Sequence, residues 1–342
     1  MGSAQEASLA AVLTRLKDDA RAYFGVHDVE LFQERLIDRP FSTVARVRVR
    51  LAGDDTDRCL YAKVMKPRSS VEAAREYVAA DYEVNRRAYL EMRSHEDLGA
   101  VPPVACYPDL LALVTEEVKG PTLLSHLNTE ATWFVPAGRI DQLRKLMRSA
   151  GHWIRVFQSS GARTGNRITI DGLRDYVDVR LGRLVERTAG RFSPSDRSAI
   201  LRHIERLGSQ VSPEELAAVP VHADLSLGNV IVSDRRIVVL DFAMAGSGGR
   251  LQDVSRLFLQ LEMLGLKPYF RAAVVRALQA ALLAGFDPSL DDRQPLFRIH
   301  LLLHRVNNLG KLMLEPGAFP SSVYDGLARR AHRRRIAEEL RG

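Results

Sequence analysis

A chain of 342 residues, 46% hydrophobic and 27% charged, carries enough apolar side chain for one large or two ordinary domains with real cores, which excludes a disordered or collagenous protein. Its two cysteines, Cys59 and Cys106, fit neither a disulfide scaffold nor a zinc spacing, so a reducing, cytoplasmic setting is the expectation. Lysine plus arginine exceed aspartate plus glutamate by 49 to 42, a formal +7 that suits an anionic partner such as a nucleotide, a nucleic acid or lipid head groups without selecting one.

The first residues, with Glu6 and no basic stretch leading into an apolar core, carry no expected signal peptide, and no later apolar run is long enough for a membrane span. From Ala7 to Phe24, apolar residues recur at three- and four-residue steps and predict an amphipathic helix. After Pro40 the period changes to two: Ala45, Val47, Val49 and Leu51 alternate with Arg46, Arg48 and Arg50, a half-buried strand. Gly53, Asp54 and Asp55 supply a turn into a second strand over Cys59–Met65, in which Lys63 is an isolated charge. A Gly- and Pro-free run from Val71 to Met92 predicts a helix, and short strands over 104–107 and 111–117 end at the Lys119-Gly120-Pro121 break. The remainder reads as helices over 137–158, 171–187, 193–210, 250–264, 268–283 and 293–314, interrupted by a strand-rich island at 219–240 whose hairpin is Val230–Val232 and Ile237–Leu240.

Polar groups gather at the open end of that hairpin. VHADLSLGNV puts His222, Asp224 and Asn229 just before it, and LDFAMAG puts Asp241 just after it. Phosphoryl transfer calls for this chemistry: one carboxylate to orient and deprotonate a hydroxyl, and an amide with a second carboxylate as oxygen donors to magnesium.

The pattern His-x-Asp-x-x-x-x-Asn followed by hydrophobic-Asp-aromatic resembles that of the aminoglycoside phosphotransferase and choline kinase family, relatives of the protein kinases. The resemblance implies Asp224 as catalytic base, Asn229 and Asp241 as magnesium ligands, and His222 with Asp253 as braces of the catalytic loop. Lys63 in YAKV resembles the strand lysine that grips nucleotide phosphates, with Glu83 as its helix partner and Glu76 as the competing choice. Glu116, Glu117 and Val118 resemble the linker whose backbone meets the adenine edge. Where kinases use a glycine-rich phosphate loop, this chain has Arg39-Pro40-Phe41-Ser42-Thr43, so phosphate contacts there fall to Ser42, Thr43 and nearby amides.

The fold expected is α+β, a two-lobed protein-kinase-like architecture with an antiparallel sheet lobe over 1–118 and a larger helical lobe over 119–342. The activity expected is Mg-dependent transfer of the ATP γ-phosphoryl group to a hydroxyl of a small molecule or saccharide, with GTP as the alternative nucleotide. Small acceptors are preferred to proteins because Asp241-Phe242-Ala243 lacks the glycine of the protein-kinase triplet and no Ala-Pro-Glu follows. The rival readings are a nucleotide-binding scaffold without turnover, and a nucleic-acid or acidic-membrane module built on Arg329, Arg330, Arg333, Arg334 and Arg335. His300 and His304, four apart, are expected as core histidines because no HExxH frames them.

Overall fold

The computed structural model describes residues 2–51, 57–67, 70–132, 135–161, 165–188, 190–315 and 321–341; the expected turn at Gly53, Asp54 and Asp55 lies outside them. In chain order the elements are α1 (Gly2–Asp18), α2 (Ala20–Phe24), β1 (Val29–Asp38), β2 (Ser42–Leu51), β3 (Arg58–Met65), α3 (Val71–Met92), β4 (Leu98–Ala100), β5 (Pro103–Tyr107), β6 (Ala112–Glu116), α4 (Leu123–Glu130), α5 (Ala137–Ser159), α6 (Ile170–Arg187), α7 (Pro194–Gly208), β7 (Ala218–Val221), β8 (Val230–Ser233), β9 (Arg236–Val239), β10 (Gly246–Gly249), α8 (Gln252–Leu264), α9 (Ala272–Phe286), α10 (Pro295–Leu314) and α11 (Ser321–Arg341). They form two compact units: Met1–Pro121 with Asn229–Ala245, and Thr122–Gly228 with Gly246–Gly342. The α+β class is the one expected, and the hairpin β8–β9 belongs by its contacts to the first unit.

The first unit is built on an antiparallel sheet in the order β1-β2-β3-β6-β5. Alternation in β2 works as read. Ala45, Val47 and Val49 are buried with Leu9, Val12 and Leu16 of α1, while Arg46 and Arg48 on the other face pair with Glu34, Glu117 and Asp57. The leading helix is two pieces broken at Asp19, the second ended by Gly25 at φ 76°. Strand β1 had no counterpart in the sequence reading. It is a mostly exposed edge strand with a bulge between Gln33 and Arg35, so polar residues interrupt the alternation that would mark it. A second small sheet, β4-β9-β8, pairs β4 parallel to β9 and ties the later hairpin to the early chain.

Gly120 shows how tightly that segment is held. Its φ is 137°, and a Cβ there would lie 2.1 Å from the carbonyl oxygen of Val232. The Val232 amide in turn donates to Pro121 at 2.9 Å.

The second unit is helical. Val177, Leu181 and Leu184 of α6, Ile200, Ile204 and Leu207 of α7, and Ile299, Leu302, Val306 and Leu309 of α10 share one core, at the spacing that puts each set on one helix face. Two unpredicted elements appear here, the short helix α4, capped by Thr122 at Ser125 N, and the strand pair β7–β10. Helices α5 and α9 approach through Gly151 and Gly285, where added Cβ atoms would fall 2.1 Å from the Leu282 oxygen and 2.0 Å from the Arg148 oxygen. Among the described residues no helix is long and apolar enough to cross a membrane.

Candidate active site

In the first unit the strand lysine meets two carboxylates. The Lys63 ammonium donates to Asp241 Oδ1 at 2.7 Å and lies 3.7 Å from Asp81 Oδ2. Lys63 and Asp241 are 178 positions apart in sequence, yet β3 and the end of the β8–β9 hairpin deliver them to hydrogen-bond distance. The lysine's helix partner is therefore Asp81, neither Glu83 nor Glu76. Helical phase explains the correction: Asp81 shares the buried face of α3 with Val78, Asn85, Ala88 and Met92, whereas Glu83, two residues on, is exposed and pairs with Arg86. Glu76 is likewise exposed.

Charge in this cluster is shared among three groups. Burial works against the Lys63 ammonium, but Asp81 and Asp241 together hold its pKa above the ordinary lysine value. Burial, with the negative charge of Asp241 beside it, raises Asp81 to about 6 against the pull of Lys63.

The hairpin sets the remaining acid and amide. Asn229 precedes β8 and Asp241 follows β9, and the Leu240 amide donates to the Asn229 carbonyl at 2.8 Å, so both residues stand at one end of the ladder. Asp241 is 46% exposed and has φ 63°, a left-handed conformation uncommon for a non-glycine residue. Asp241 and Asn229 offer oxygen donors of the kind a hard divalent cation takes, with one Asp241 oxygen given to Lys63.

The expected phosphate loop is arranged otherwise. Thr43 pairs with Val64 on β3, one position out of phase with the Val44–Lys63 pair, so its side chain takes the opposite face of the sheet from Lys63. Its hydroxyl donates to Asp38 at 3.1 Å, and Ser42 and Thr43 are both buried. In the linker, the Glu116 and Glu117 amides donate to the Pro102 and Cys59 carbonyls. The Glu117 carboxylate is held by the Arg46 guanidinium at 2.6 and 2.7 Å and by the Tyr61 hydroxyl, and the Arg46 bonds keep it below the usual carboxylate range. Val118 lies beyond β6, and among the described residues its amide makes no backbone hydrogen bond.

The loop that carries Asp224 belongs to the second unit. Fully buried Asp253, on the first turn of α8, accepts the amides of His222 at 2.7 Å and Ala223 at 3.0 Å. Ala223 has φ 61°, so these two bonds fix a strained turn immediately before Asp224. His222 is buried edge-on against Trp153, at 6.2 Å between ring centroids. Gln260 clamps the loop further along, accepting the Leu227 amide and donating to the Leu225 carbonyl. Gln158 donates to the Arg250 carbonyl just before α8.

Sequence reasoning passed over Arg256, whose guanidinium pairs with Asp224. It stands three residues after Asp253, on the same side of α8, so one helical turn presents a brace for the loop and a cation for its carboxylate. The signal was present as the D-x-x-R spacing in QDVSR.

Residues 140–293 match a family model described as the phosphotransferase enzyme family. That segment holds Asp224, Asn229, Asp241, Asp253 and Arg256. The expected family resemblance is borne out. The fold agrees over nearly the whole chain. An amicoumacin kinase solved in complex with AMP-PNP, Ca2+ and Ami superposes with a TM-score of 0.58 at 17% identity, covering 99% of this chain and 96% of that one. A choline/ethanolamine kinase family protein from Mesorhizobium loti gives 0.54 at 15% identity over 96% and 97%. An aminoglycoside phosphotransferase from Alicyclobacillus acidocaldarius gives 0.53 at 14% over 90% of each chain. The fold is thus the kinase-like one expected. A search of curated proteins by sequence found no match. The family match supports phosphoryl transfer.

Proposed function

We propose that the chain transfers the γ-phosphoryl group of ATP to a hydroxyl of a small molecule or saccharide, with Mg2+ as the metal and GTP as the alternative nucleotide. The observation that carries the reading is the Lys63–Asp241 ion pair, which sets a phosphate-binding cation on the carboxylate of a hairpin end that also bears Asn229. In this reading Asn229 and Asp241 hold the magnesium, which when bound neutralises charge on the nucleotide phosphates. Lys63 turns from Asp241 toward those phosphates, and buried Asp81 keeps its ammonium in place. Val118 meets the base through its backbone.

Asp224 orients the acceptor hydroxyl and takes its proton as the oxygen bonds to the γ-phosphorus and the bond to the nucleoside diphosphate breaks. Asp224 and Asn229 stand five positions apart, so four residues of chain join the base to the metal ligands. Arg256 aims the Asp224 carboxylate through their ion pair. Positioning supplies most of the rate.

The buried Thr43, its hydroxyl spent on Asp38, favours a second reading, a nucleotide-binding scaffold that does not turn over. Incubating γ-labelled ATP and magnesium with a panel of amino-sugars, sugars and amino-alcohols separates the two. Label on one compound with wild type and none with Asp224→Asn supports the kinase; nucleotide binding with no labelled product supports the scaffold.

A further inference from the structure

In the second unit, α6 and α10 border an open cleft of about 310 Å³ whose lining includes Arg180, Arg183, Asn307, Lys311, Leu314 and Glu315. Its chemistry is lopsided. Three cations face it against one carboxylate, and among the described residues neither Arg183 nor Lys311 is in an ion pair. Arg180 lies with its guanidinium 3.2 Å over the Tyr176 ring and donates one N–H to the Tyr176 carbonyl, which leaves other donors of its fork without a carboxylate. Burial, and to a lesser degree Arg183, hold Arg180 below the ordinary arginine value, as expected of a cation waiting for a counter-charge.

Asn307 donates its amide to the Tyr176 hydroxyl at 3.1 Å, a bond that joins α10 to α6 beside Arg180. Leu314 supplies an apolar wall. The volume lies at the small end of ligand pockets and suits a molecule of monosaccharide size.

We propose that the α6–α10 cleft is a binding site for a small organic phosphomonoester. Arg180, Arg183 and Lys311 bind the phosphate, where guanidinium forks match its oxygens, and the organic part lies against Leu314. A dianion is preferred to a monoanion because three cations outweigh the single carboxylate of Glu315. The site stands independently of the kinase reading. Its ligand comes from one of two sources: the phosphoryl acceptor itself, bearing a phosphate already, or a separate effector.

Calorimetry at constant ionic strength with glycerol 3-phosphate, ribose 5-phosphate and glucose 6-phosphate, against glucose and inorganic phosphate, tests it on the full chain. At least one ester binds wild type more tightly than either control, and Arg183→Gln/Lys311→Gln weakens it by about tenfold or more while the melting temperature holds. Equal binding to wild type and variant, or no binding of any ester at millimolar concentration, overturns the site. Repeating the titration with γ-labelled ATP and magnesium separates the sources: label on the bound ester marks an acceptor, and binding without label marks an effector.

Discussion

The ion pair between Asp224 and Arg256 ties the carboxylate of the proposed base to a helix, and it makes separable predictions. Asp224→Asn should keep nucleotide affinity and lose transfer by a factor on the order of 10²–10⁴, whereas Arg256→Ala should lower kcat by about 10- to 100-fold with nucleotide KM unchanged, and Arg256→Lys should recover part of that loss. Steady-state kinetics on the labelled acceptor checks all three, and an unaltered kcat in Arg256→Ala would remove the positioning role. The meeting of Asn229 and Asp241 was legible from sequence, because a hairpin of fixed length returns its ends to one place. Arg256 was passed over, since the D-x-x-R spacing sets it on one side of the helix with Asp253 without saying that the Asp224 loop meets that side. A third residue speaks to pH. His300 is fully buried, packs under Gly249, has no hydrogen bond at either ring nitrogen among the described residues, and is lowered to about 4 by burial. A base whose folded pKa lies below its unfolded value of about 6.5 takes up protons preferentially in the unfolded chain, so stability falls as pH drops from about 6.5 toward 4. The loss from this residue is on the order of 2–3 kcal/mol at the acid end. His300→Leu should flatten the stability-versus-pH curve in that window in urea titrations; His304, lowered to about 3, retains part of the slope. An unchanged slope would mean that His300 is not the acid-labile group.

Between elements, the contacts that decide stability are those where backbone meets backbone. Helices α5 and α9 touch through Gly151 and Gly285, and a methyl group at either position strikes a carbonyl oxygen of the other helix rather than a side chain that could swing away. Gly151→Ala should therefore destabilise by about 2–4 kcal/mol despite the gain in helix propensity, while Gly138→Ala at the exposed start of α5, with open space around it, should be neutral or slightly stabilising. Chemical denaturation of the pair distinguishes close approach from propensity. The helices were legible because their apolar stripes run for many turns and their ends carry caps, as in the Ser193–Asp196 capping box of α7. Strand β1 was not, because an edge strand with one solvated side, a bulge and charges at Glu30, Glu34 and Arg35 presents little of the alternation that makes β2 obvious. The partner of Lys63 was missed at this same scale. Choosing Glu83 over Asp81 is an error of two residues, or about 200° around a helix, and only the packing of Val78, Asn85 and Ala88 fixes that phase.

At the scale of the whole molecule, the first unit takes seventeen residues, 229–245, from beyond more than a hundred that belong to the second. Sequence order cannot show this, since a hairpin read along the chain belongs with its neighbours, whereas its β9 strand hydrogen-bonds to β4 and its Val232 amide to Pro121. Without that hairpin, β4 loses its pairing partner, Gly120 loses the carbonyl it packs against, and Lys63 and Asp81 lose the second carboxylate of their cluster. A fragment ending at Pro121 should therefore fail to unfold cooperatively. Joining Pro121 to Asn229 by a short glycine-rich linker should restore a sigmoidal transition, because the existing Val232–Pro121 hydrogen bond already brings those ends within a few residues of each other. The comparison is made by urea denaturation followed by far-ultraviolet circular dichroism. Cooperative unfolding of the fragment without the hairpin would show that the sheet β1-β2-β3-β6-β5 and its helices suffice alone. Restoration by the linked hairpin, and its loss on Gly120→Val, would show that the chain must fold this unit from two separated segments. The lysine and aspartate of the proposed nucleotide site would then be assembled by the same step that completes the unit.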